Sequence, residues 1–318
     1  MDVNSNNFIQ ALHNRDLEAL RKVTKADLHN HFVLGGCRAF IKEKTGVDII
    51  PYKGVMHSME EMHKWNDQNL GDKFNNLEMR QLLIDATIVQ AVNDGVKILE
   101  IGEDVWGLDA YFHGNIQKLI DSFKQSQKEY GKEVELRLQI GMSRHCSINS
   151  LEKWLEPFWD EKAFYSIDLY GVEHAQGIGN FKSIYRKAKS KGLKLKAHVG
   201  EWGTAEDVRE AVDVLELDEV QHGIAAVESK EVMHYLRDNK IRLNITPTSN
   251  VILGRVKNHS LHPIKELYHS GIDVTINSDD VLIFDSDVSK EYLRLYENGV
   301  LSEHELDDIR LNGLKNLD

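Results

Sequence analysis

The sequence predicts an α/β fold, a single (β/α)8 TIM barrel with a lid insertion after the first strand. Eight short runs rich in apolar and β-branched residues end in polar side chains, and longer segments with helical periodicity separate them. Buried strands that alternate with helices form parallel sheets through right-handed crossovers, and eight repeats favour closure into a barrel. The predicted strands span residues 25–32, 96–103, 134–144, 165–173, 193–201, 219–223, 242–249 and 273–280.

Two of the intervening segments show the helical pattern clearly. Residues 181–191 and 204–215 place apolar side chains at spacings of three and four residues, as helices packed outside a barrel do. Gly192 follows the first segment, where a glycine commonly ends a helix. Residues 1–23 form an amphipathic lead-in that predicts a helix closing the bottom of the barrel. We find no proline-rich linker or internal repeat, so residues 1–318 are predicted to form one domain.

The gap between the first two predicted strands is the longest in the chain. Residues 37–80 within it are predicted to form a lid over the mouth of the barrel. This segment contains His57 and His63. We expect both to be surface or packing residues rather than metal ligands.

The composition is that of a globular protein that binds a small molecule. Hydrophobic residues make up 41% of the 318 residues and charged residues 28%, which is enough to bury a large core. The formal net charge of -12 repels polyanions, and no basic stretch is interleaved with aromatic side chains. We therefore expect a small-molecule substrate, no nucleic-acid partner, and a monomer or homodimer.

Cysteine usage and the first residues predict a cytoplasmic protein. Cys37 and Cys146 lie far apart and outside any Cys-x-x-Cys pattern, which argues against a disulfide framework and against thiolate-bound zinc. Residues 1–7 lack the basic and apolar regions of a signal peptide, and no apolar run approaches membrane-spanning length. We expect no membrane contact.

The predicted strand ends carry polar residues, and the active groups of such barrels lie at the carboxyl ends of the strands. His29 and His31 are two residues apart near the end of the first run, so on a strand both side chains point to the same side and can chelate a metal. Because the chain has 15 histidines, this pair alone does not distinguish a metal site from structural packing.

Five further residues extend the pattern. His198 offers a third imidazole, and Glu201 just beyond it offers a carboxylate that is not needed as a ligand. Asp279 and Asp280 are adjacent carboxylates, so one can bind a metal while the other transfers protons. His222 comes near the end of the sixth run. Three neutral imidazoles and one carboxylate leave a position for water, as in catalytic zinc sites.

Each of these elements also has a structural interpretation. Asp279 and Asp280 fit a helix cap, and Glu201 fits the first turn of a helix. His222 fits a hydrogen-bonded histidine inside the barrel. Taken together, however, four strand ends supply compatible ligands and acid–base groups, which favours a catalytic metal site.

These residues lie in motifs that resemble the adenosine deaminase family, in order and across nearly the whole chain, from Lys25 to about Leu317. Residues 25–31, Lys-Ala-Asp-Leu-His-Asn-His, are similar to the opening metal motif of that family. The other similar segments are Ser-Arg-His at 143–145, Ser-Ile-Asp-Leu-Tyr-Gly-Val-Glu at 166–173, His-Val-Gly-Glu at 198–201, His-Gly at 222–223, Pro-Thr-Ser-Asn at 247–250 and Asn-Ser-Asp-Asp at 277–280.

The resemblance implies a hydrolytic deaminase that releases ammonia from a 6-aminopurine nucleoside or a related amino-heterocycle, with one divalent cation, zinc or a similar ion. The ligands it implies are His29, His31, His198 and Asp279. It implies that Glu201 protonates the ring nitrogen, while His222 and Asp280 orient and deprotonate the water that the cation activates. It also implies that Gly171 approaches the purine through its backbone.

One departure from the family pattern bears on the substrate. The family places an acidic residue shortly after the second metal histidine, where it meets the ribose 5′-hydroxyl, and here Phe32, Val33 and Leu34 stand instead. A buried hydroxyl without a hydrogen bond is costly, so these side chains disfavour a bare 5′-hydroxyl. We expect Phe32 and Val33 to contact a 5′-deoxy or 5′-thioether adenosine, a free aminopurine or another amino-heterocycle.

Two other functions fit part of the sequence. Residues 27–31, Asp-Leu-His-Asn-His, also resemble the start of metal-dependent phosphoesterases of the polymerase and histidinol phosphatase type, although those enzymes need more metal ligands. A barrel that binds a ligand without turnover is expected to lose some of the seven metal and proton-transfer residues, and all are present here. Deaminases that act on nucleic acids need a Pro-Cys-x-x-Cys motif, which two lone cysteines cannot supply.

Overall fold

Eight parallel strands, arranged in sequence order, form the centre of the protein in the computed structural model, which describes residues 3–315. The strands are β1 (Lys25–Asp27), β2 (Val96–Ile101), β3 (Glu135–Ser143), β4 (Phe164–Tyr170), β5 (Lys194–Val199), β6 (Glu219–His222), β7 (Arg242–Ile245) and β8 (Asp273–Ile276). Each strand pairs in parallel with the next. A bridge between Asn30 and Asp279 joins the two outer strands just beyond their ends. The predicted barrel is therefore confirmed.

Helices connect the strands through most of the chain. The α-helices are α1 (Val3–Asn14), α2 (Leu17–Arg21), α3 (Arg38–Thr45), α4 (Met59–Asn69), α5 (Leu77–Asn93), α6 (Gly107–Phe112), α7 (Ile116–Tyr130), α8 (Ile148–Leu155), α9 (Lys182–Ser190), α10 (Ala205–Leu215), α11 (Lys230–Asp238), α12 (Pro247–Ile252), α13 (Ile264–His269), α14 (Val281–Phe284), α15 (Val288–Glu297) and α16 (Glu303–Gly313). Short 3-10 helices cover Gly71–Phe74, Glu156–Phe158, Ile178–Phe181, Ile224–Glu228 and His259–Leu261. Within residues 3–315, no helix combines the length and apolar character needed to cross a bilayer.

The strands begin within one residue of the predicted positions but end one to five residues earlier. β1 ends at Asp27, so His29 and His31 lie beyond it, and the expectation that strand pleating aligns their side chains is wrong. The chain turns sharply where the strands end. His222 and Asp279 adopt the left-handed conformation, with φ of 66° and 59°. Residues other than glycine adopt it uncommonly, and strained residues often cluster at functional sites.

Side chains beyond β1 and β8 hold the first and last strands together. The Asp27 carboxylate accepts hydrogen bonds from the Ser278 hydroxyl at 2.5 Å, from the Ser278 amide at 3.2 Å and from Asn30 Nδ2 at 3.1 Å. The Asp279 amide donates to the His29 carbonyl at 2.9 Å. These bonds, rather than the alternation of side chains along a strand, bring residues 28–31, the histidine segment, beside Asp279.

The two clearest predicted helices are confirmed as α9 and α10. Thr204 caps α10 by accepting a hydrogen bond from the Asp207 amide, and Asp207 in turn accepts one from the Thr204 amide, which forms a capping box. Gly192 follows α9 with a φ of 82°, a conformation that glycine adopts at little cost.

The N-terminal lead-in is helical, as predicted, and forms α1 and α2. The Phe8 ring packs edge-on against Tyr292 of α15, with centroids 5.2 Å apart. Lys25, the first residue of β1, donates to the carbonyls of Leu20 and Val23, which anchors α2 at the amino-terminal end of the barrel. Residues 1, 2 and 316–318 of the predicted domain lie outside the described residues.

A buried ion cluster lies inside the barrel. Lys196 Nζ is 2.8 Å from Glu100 Oε2 and 2.9 Å from Glu219 Oε2, and its side chain is fully buried. Asn244 Nδ2 donates to Glu219 Oε2 at 2.8 Å, and the Ser166 hydroxyl donates to Glu100. Burial alone lowers the pKa of a lysine, but the two carboxylates raise that of Lys196, so it stays charged.

We predict that Lys196→Met lowers the free energy of unfolding by about 3–5 kcal/mol, because it leaves two buried carboxylates without their cation. Equilibrium unfolding in urea measures this value. Lys194→Met is the matched control, since Lys194 lies on the same strand but is half exposed and bonds Asp218 at the surface. The control is expected to change stability by less than about 1 kcal/mol. Equal losses in the two variants would contradict the prediction.

Candidate active site

A cavity of about 370 Å³ lies at the carboxyl ends of the strands. The predicted residues that line it are His31, Phe32, Val33, Gly171, His198, Glu201, His222, Asp279 and Asp280. His29 is buried directly behind them, with its ring centroid 4.7 Å from that of His198 and 4.5 Å from that of His222. The structure thus brings all the predicted site residues around one cavity.

Hydrogen bonds behind the cavity orient two of the imidazoles. His29 Nδ1 is 3.0 Å from the Asn244 carbonyl, which can only accept, so this nitrogen carries the proton. His198 Nδ1 is 3.3 Å from Asp168 Oδ1 and donates to that fully buried carboxylate. Both rings therefore turn the lone pair of Nε2 towards the centre of the site. A carboxylate or carbonyl behind a histidine is the usual support of a metal ligand.

The four predicted ligands fit a divalent cation. Ligand atoms of His29, His31 and Asp279 lie within 4.8 Å of one another, and His31 Nε2 is 3.2 Å from His198 Nε2. His29 Nε2 is buried and has no hydrogen-bond partner among the described residues. Burial lowers the pKa of His29 to about 3, so the ring is neutral. Neutral imidazoles with one carboxylate suit zinc. A second group with ligand spacing consists of His29, His198 and His222.

Glu201 is held in a braced loop beside this group. The Glu173 carboxylate accepts hydrogen bonds from the amides of Gly200 at 2.6 Å, Trp202 at 2.7 Å and Gly203 at 3.1 Å, so it fixes the backbone on both sides of Glu201. Burial, and then the nearby Asp279 carboxylate, raise the pKa of Glu201 to about 8. The raised pKa favours a protonated Glu201 carboxyl near neutral pH, and such a group can give its proton to a ligand.

Asp280 and His222 complete the proton-transfer groups. Asp280 precedes α14, but its side chain makes no capping bond, so the helix-cap interpretation is wrong for this residue. Its Oδ1 is buried without a hydrogen-bond partner in residues 3–315. Burial and the Asp279 and Glu201 carboxylates raise the pKa of Asp280 well above its ordinary value. His222 Nε2 lies 3.5 Å from Glu201 Oε1, so its ring edge faces the same cavity.

The residues predicted to contact the substrate differ in how much of their surface is available to a ligand in the cavity. Gly171 has a φ of 91°, and a Cβ there would come no closer than 3.8 Å to Arg144 N, so the backbone conformation rather than crowding requires glycine. Phe32 borders the cavity, but its ring packs on Phe123 and only 1% of its surface is exposed. Val33 is half-buried and therefore offers more of its surface to a ligand.

The predicted lid segment, residues 37–80, forms one wall of the cavity. Its apolar lining residues are Met59, Met62, Leu70 and Phe74. His57 and His63 are exposed, as expected. The position of the segment fits a lid, and its opening and closing stay a prediction.

Several residues that support the site are missing from the sequence prediction. Asp168 behind His198 and Glu173 beside the Glu201 loop both lie in the quoted fourth-strand motif, without a role. Polar residues at inward positions of a barrel strand are the signal that could have identified Asp168. No local signal points to the Asn244 carbonyl, because any residue supplies one.

Comparison with known proteins identifies similar sequences and folds. A family model described as adenosine deaminase matches residues 79–317. A putative adenosine/adenine deaminase from Treponema pallidum is 32% identical over 289 residues, which cover 91% of this chain and 96% of that protein. The structure of adenine deaminase from Arthrobacter aurescens has 24% identity and a TM-score of 0.75, and the match covers 92% of each chain. An amidohydrolase structure from Burkholderia ambifaria with bound zinc has 19% identity and a TM-score of 0.77, covering 96% of this chain and 87% of that one.

We predict that Asp168→Asn weakens the binding of a divalent metal by about 10- to 100-fold, because an amide holds the His198 ring less firmly and makes it a weaker donor. Competition with a chromophoric zinc chelator measures the affinity. Asp160→Asn, an exposed change on the loop before β4, is the control and is expected to bind metal as the unmodified protein does. An Asp168→Asn variant with unchanged affinity would show that Asp168 does not support the ligand.

Proposed function

The chain belongs to the adenosine deaminase family, and we propose that it removes the amino group of a 6-aminopurine by hydrolysis, with zinc as the bound cation. It is a hydrolase of carbon–nitrogen bonds on a metal-dependent amidohydrolase fold. One observation carries the proposal for its substrate chemistry: Glu201, a buried carboxyl whose pKa is raised to about 8, lies beside a cluster of metal-binding side chains. A metal site alone fits many hydrolases, whereas a proton donor beside it suits a substrate whose ring nitrogen must be protonated.

We assign the cation to His29, His31, His198 and Asp279. The inward lone pairs of His29 and His198, and the unpartnered Nε2 of His29, support this assignment over a purely structural cluster. A zinc ion held there would supply a positive charge that lowers the pKa of a nearby water towards neutrality. The same charge would relieve the repulsion between the adjacent Asp279 and Asp280 carboxylates, so that Asp280 could accept a proton.

Three side chains have separate roles in the reaction. Glu201 gives its proton to the ring nitrogen next to the amine-bearing carbon, which makes that carbon electrophilic. Asp280 accepts a proton from the attacking water through its free Oδ1, and His222 holds the oxygen of that water in place. The new carbon–oxygen bond forms, Asp280 passes its proton to the amine, and the carbon–nitrogen bond breaks as ammonia leaves. The new hydroxyl becomes a carbonyl and returns a proton to Glu201.

The cavity favours an uncharged purine over a nucleotide. Arg80 is the one arginine or lysine among the described residues that line it, and Glu103 binds its guanidinium through two hydrogen bonds of 3.0 and 2.6 Å. No lysine or arginine side chain among the described lining residues is therefore free to bind a phosphate group. Val33 and Leu34 present apolar side chains beside His31, which favours a 5′-deoxy or 5′-thioether adenosine or a free aminopurine over adenosine itself.

The phosphoesterase alternative has less support for a different reason. Enzymes of that type need more metal ligands than the four assigned here. The family match also places the chain with deaminases.

We predict that Glu201→Gln keeps its zinc but lowers kcat for deamination by about 10²- to 10⁴-fold, because the amide cannot donate the proton of an acid. His198→Ala is expected to lose both metal and activity. Elemental analysis gives the metal content and a coupled ammonia assay gives the rate. Full activity and equal metal in both variants would contradict the assigned roles.

We predict that Val33→Asp raises the ratio of kcat/KM for adenosine over 5′-deoxyadenosine by about 10-fold or more, because a hydrogen bond to a charged group contributes roughly 1.5–3 kcal/mol. Ammonia release is measured on adenine, adenosine, 5′-deoxyadenosine, a 5′-thioether adenosine and AMP. Val33→Leu is the control that keeps the wall apolar.

An unchanged ratio in Val33→Asp would contradict the position given to the ribose. If every purine were inert while the zinc site was filled, the proposed deaminase function itself would be wrong.

A further inference from the structure

A chain of buried hydrogen bonds runs from the backbone of α13 to His222. It starts at His262, whose Nδ1 lies 3.1 Å from the backbone N–H of Ile264. A backbone amide can only donate, so His262 Nδ1 accepts, and in the neutral ring the proton sits on Nε2. Burial lowers the pKa of His262 to about 3, which keeps the ring neutral. The tautomer of His262 is therefore determined by a backbone bond.

The next bond determines the orientation of an amide. His262 Nε2 lies 3.1 Å from Asn250 Oδ1, so its N–H donates to that oxygen. The Asn250 amide nitrogen must then face the opposite way, and it lies 3.4 Å from Nδ1 of His222. Asn250 is fully buried, and its carbonyl accepts the amides of Arg255 and Val256, both at 2.9 Å, which fixes its backbone.

The last bond determines the tautomer of His222. Its Nδ1 faces the N–H of Asn250 and lies 3.0 Å from the Thr246 hydroxyl, which can donate to it as well. With Nδ1 as an acceptor, the neutral ring carries its proton on Nε2. In the opposite tautomer the Nδ1–H could donate to the Thr246 hydroxyl, but it would also face the Asn250 N–H, which would lose its buried hydrogen bond to His222.

We propose that Asn250 and His262 are positioning residues that hold His222 in the tautomer protonated on Nε2, so that His222 presents a hydrogen-bond donor to the cavity. This inference rests on the proposed deaminase function. It gives a structural reason for the separate roles proposed above for His222 and Asp280. His222 donates to the oxygen that adds to the purine and stabilises the charge it gains, and Asp280 alone accepts the proton. It also gives a role to the Pro-Thr-Ser-Asn segment at residues 247–250.

The direct test is nitrogen-15 NMR of the zinc-loaded protein labelled at histidine, with the His222 signals assigned by their loss in His222→Gln. Long-range proton–nitrogen correlations distinguish a protonated from an unprotonated ring nitrogen. We expect Nε2 of His222 to be protonated and Nδ1 to be bare. A proton on Nδ1 of His222 in the unmodified protein would overturn the proposal.

Asn250→Asp tests this chain of hydrogen bonds, which we call the relay, because it changes the hydrogen-bonding groups with almost no change in the shape of the side chain. An aspartate offers acceptors to both rings, so we expect it to place a proton on Nδ1 of His222 and to lower kcat by about 10²-fold, the usual cost of losing one oriented donor, with KM changed less than about threefold. An Nδ1 that stays bare would overturn the proposal, and so would an unchanged kcat with Nδ1 protonated.

His262 and Ser249 supply the matched variants. His262→Gln can still donate to Asn250 Oδ1 and is expected to keep the His222 tautomer and most of kcat, whereas His262→Leu is expected to lose both. Ser249→Ala is the control, because Ser249 is as buried as Asn250 but its hydroxyl has no partner among the described residues. Equal behaviour of the Gln and Leu variants would overturn the relay.

The NMR measurement needs no turnover, so it separates two kinds of failure. Ammonia release with His222 protonated on Nδ1 would refute the relay and leave the deaminase proposal intact. The stated tautomer without ammonia release from any purine would refute the deaminase proposal.

Discussion

The nitrogen on which each buried imidazole carries its proton determines what this cavity can do. His29 and His198 hold the proton on Nδ1, because each donates to an acceptor behind the site, the Asn244 carbonyl or Asp168. They therefore turn lone pairs inward, as metal ligands must. His222 has the reverse arrangement and turns an N–H inward. Side chains of one type thus supply both cation ligands and a hydrogen-bond donor within a few ångströms.

The orientation of the rings depends on the layer below the cavity. The Asn244 carbonyl receives the proton of His29, while the Asn244 side chain donates to Glu219 and Gln221 at 2.8 Å each. Gln221 Nε2 in turn donates to the Leu28 carbonyl at 3.2 Å, at the start of the histidine segment. Buried charges are costly to desolvate, and only precise geometry offsets that cost. The ion cluster therefore constrains the relative geometry of β5, β6 and β7, which carry Lys196, Glu219 and Asn244.

The sequence pattern predicts the eight strands because a parallel sheet that is buried on both faces requires a short run of apolar residues for each strand. The convergence of His29 and His31 is predicted correctly but for the wrong reason, since bonds between the ends of β1 and β8 bring them together rather than the pleat of a strand. The contact between His198 and Asp168 joins residues 30 apart in the sequence, and that of Asn250 with His222 joins residues 28 apart. Such partners depend on strand register and ring orientation, which local patterns do not specify.

Anomalous diffraction at the zinc absorption edge, from crystals of the zinc-loaded protein, tests this account most directly. Within residues 3–315, two groups of side chains have ligand spacing, and they share His29. The expected result is a single peak bound by His29, His31, His198 and Asp279, with His222 outside ligand distance. A peak coordinated by His222 in place of His31 and Asp279 would contradict it, because His222 would then have no N–H to offer a substrate.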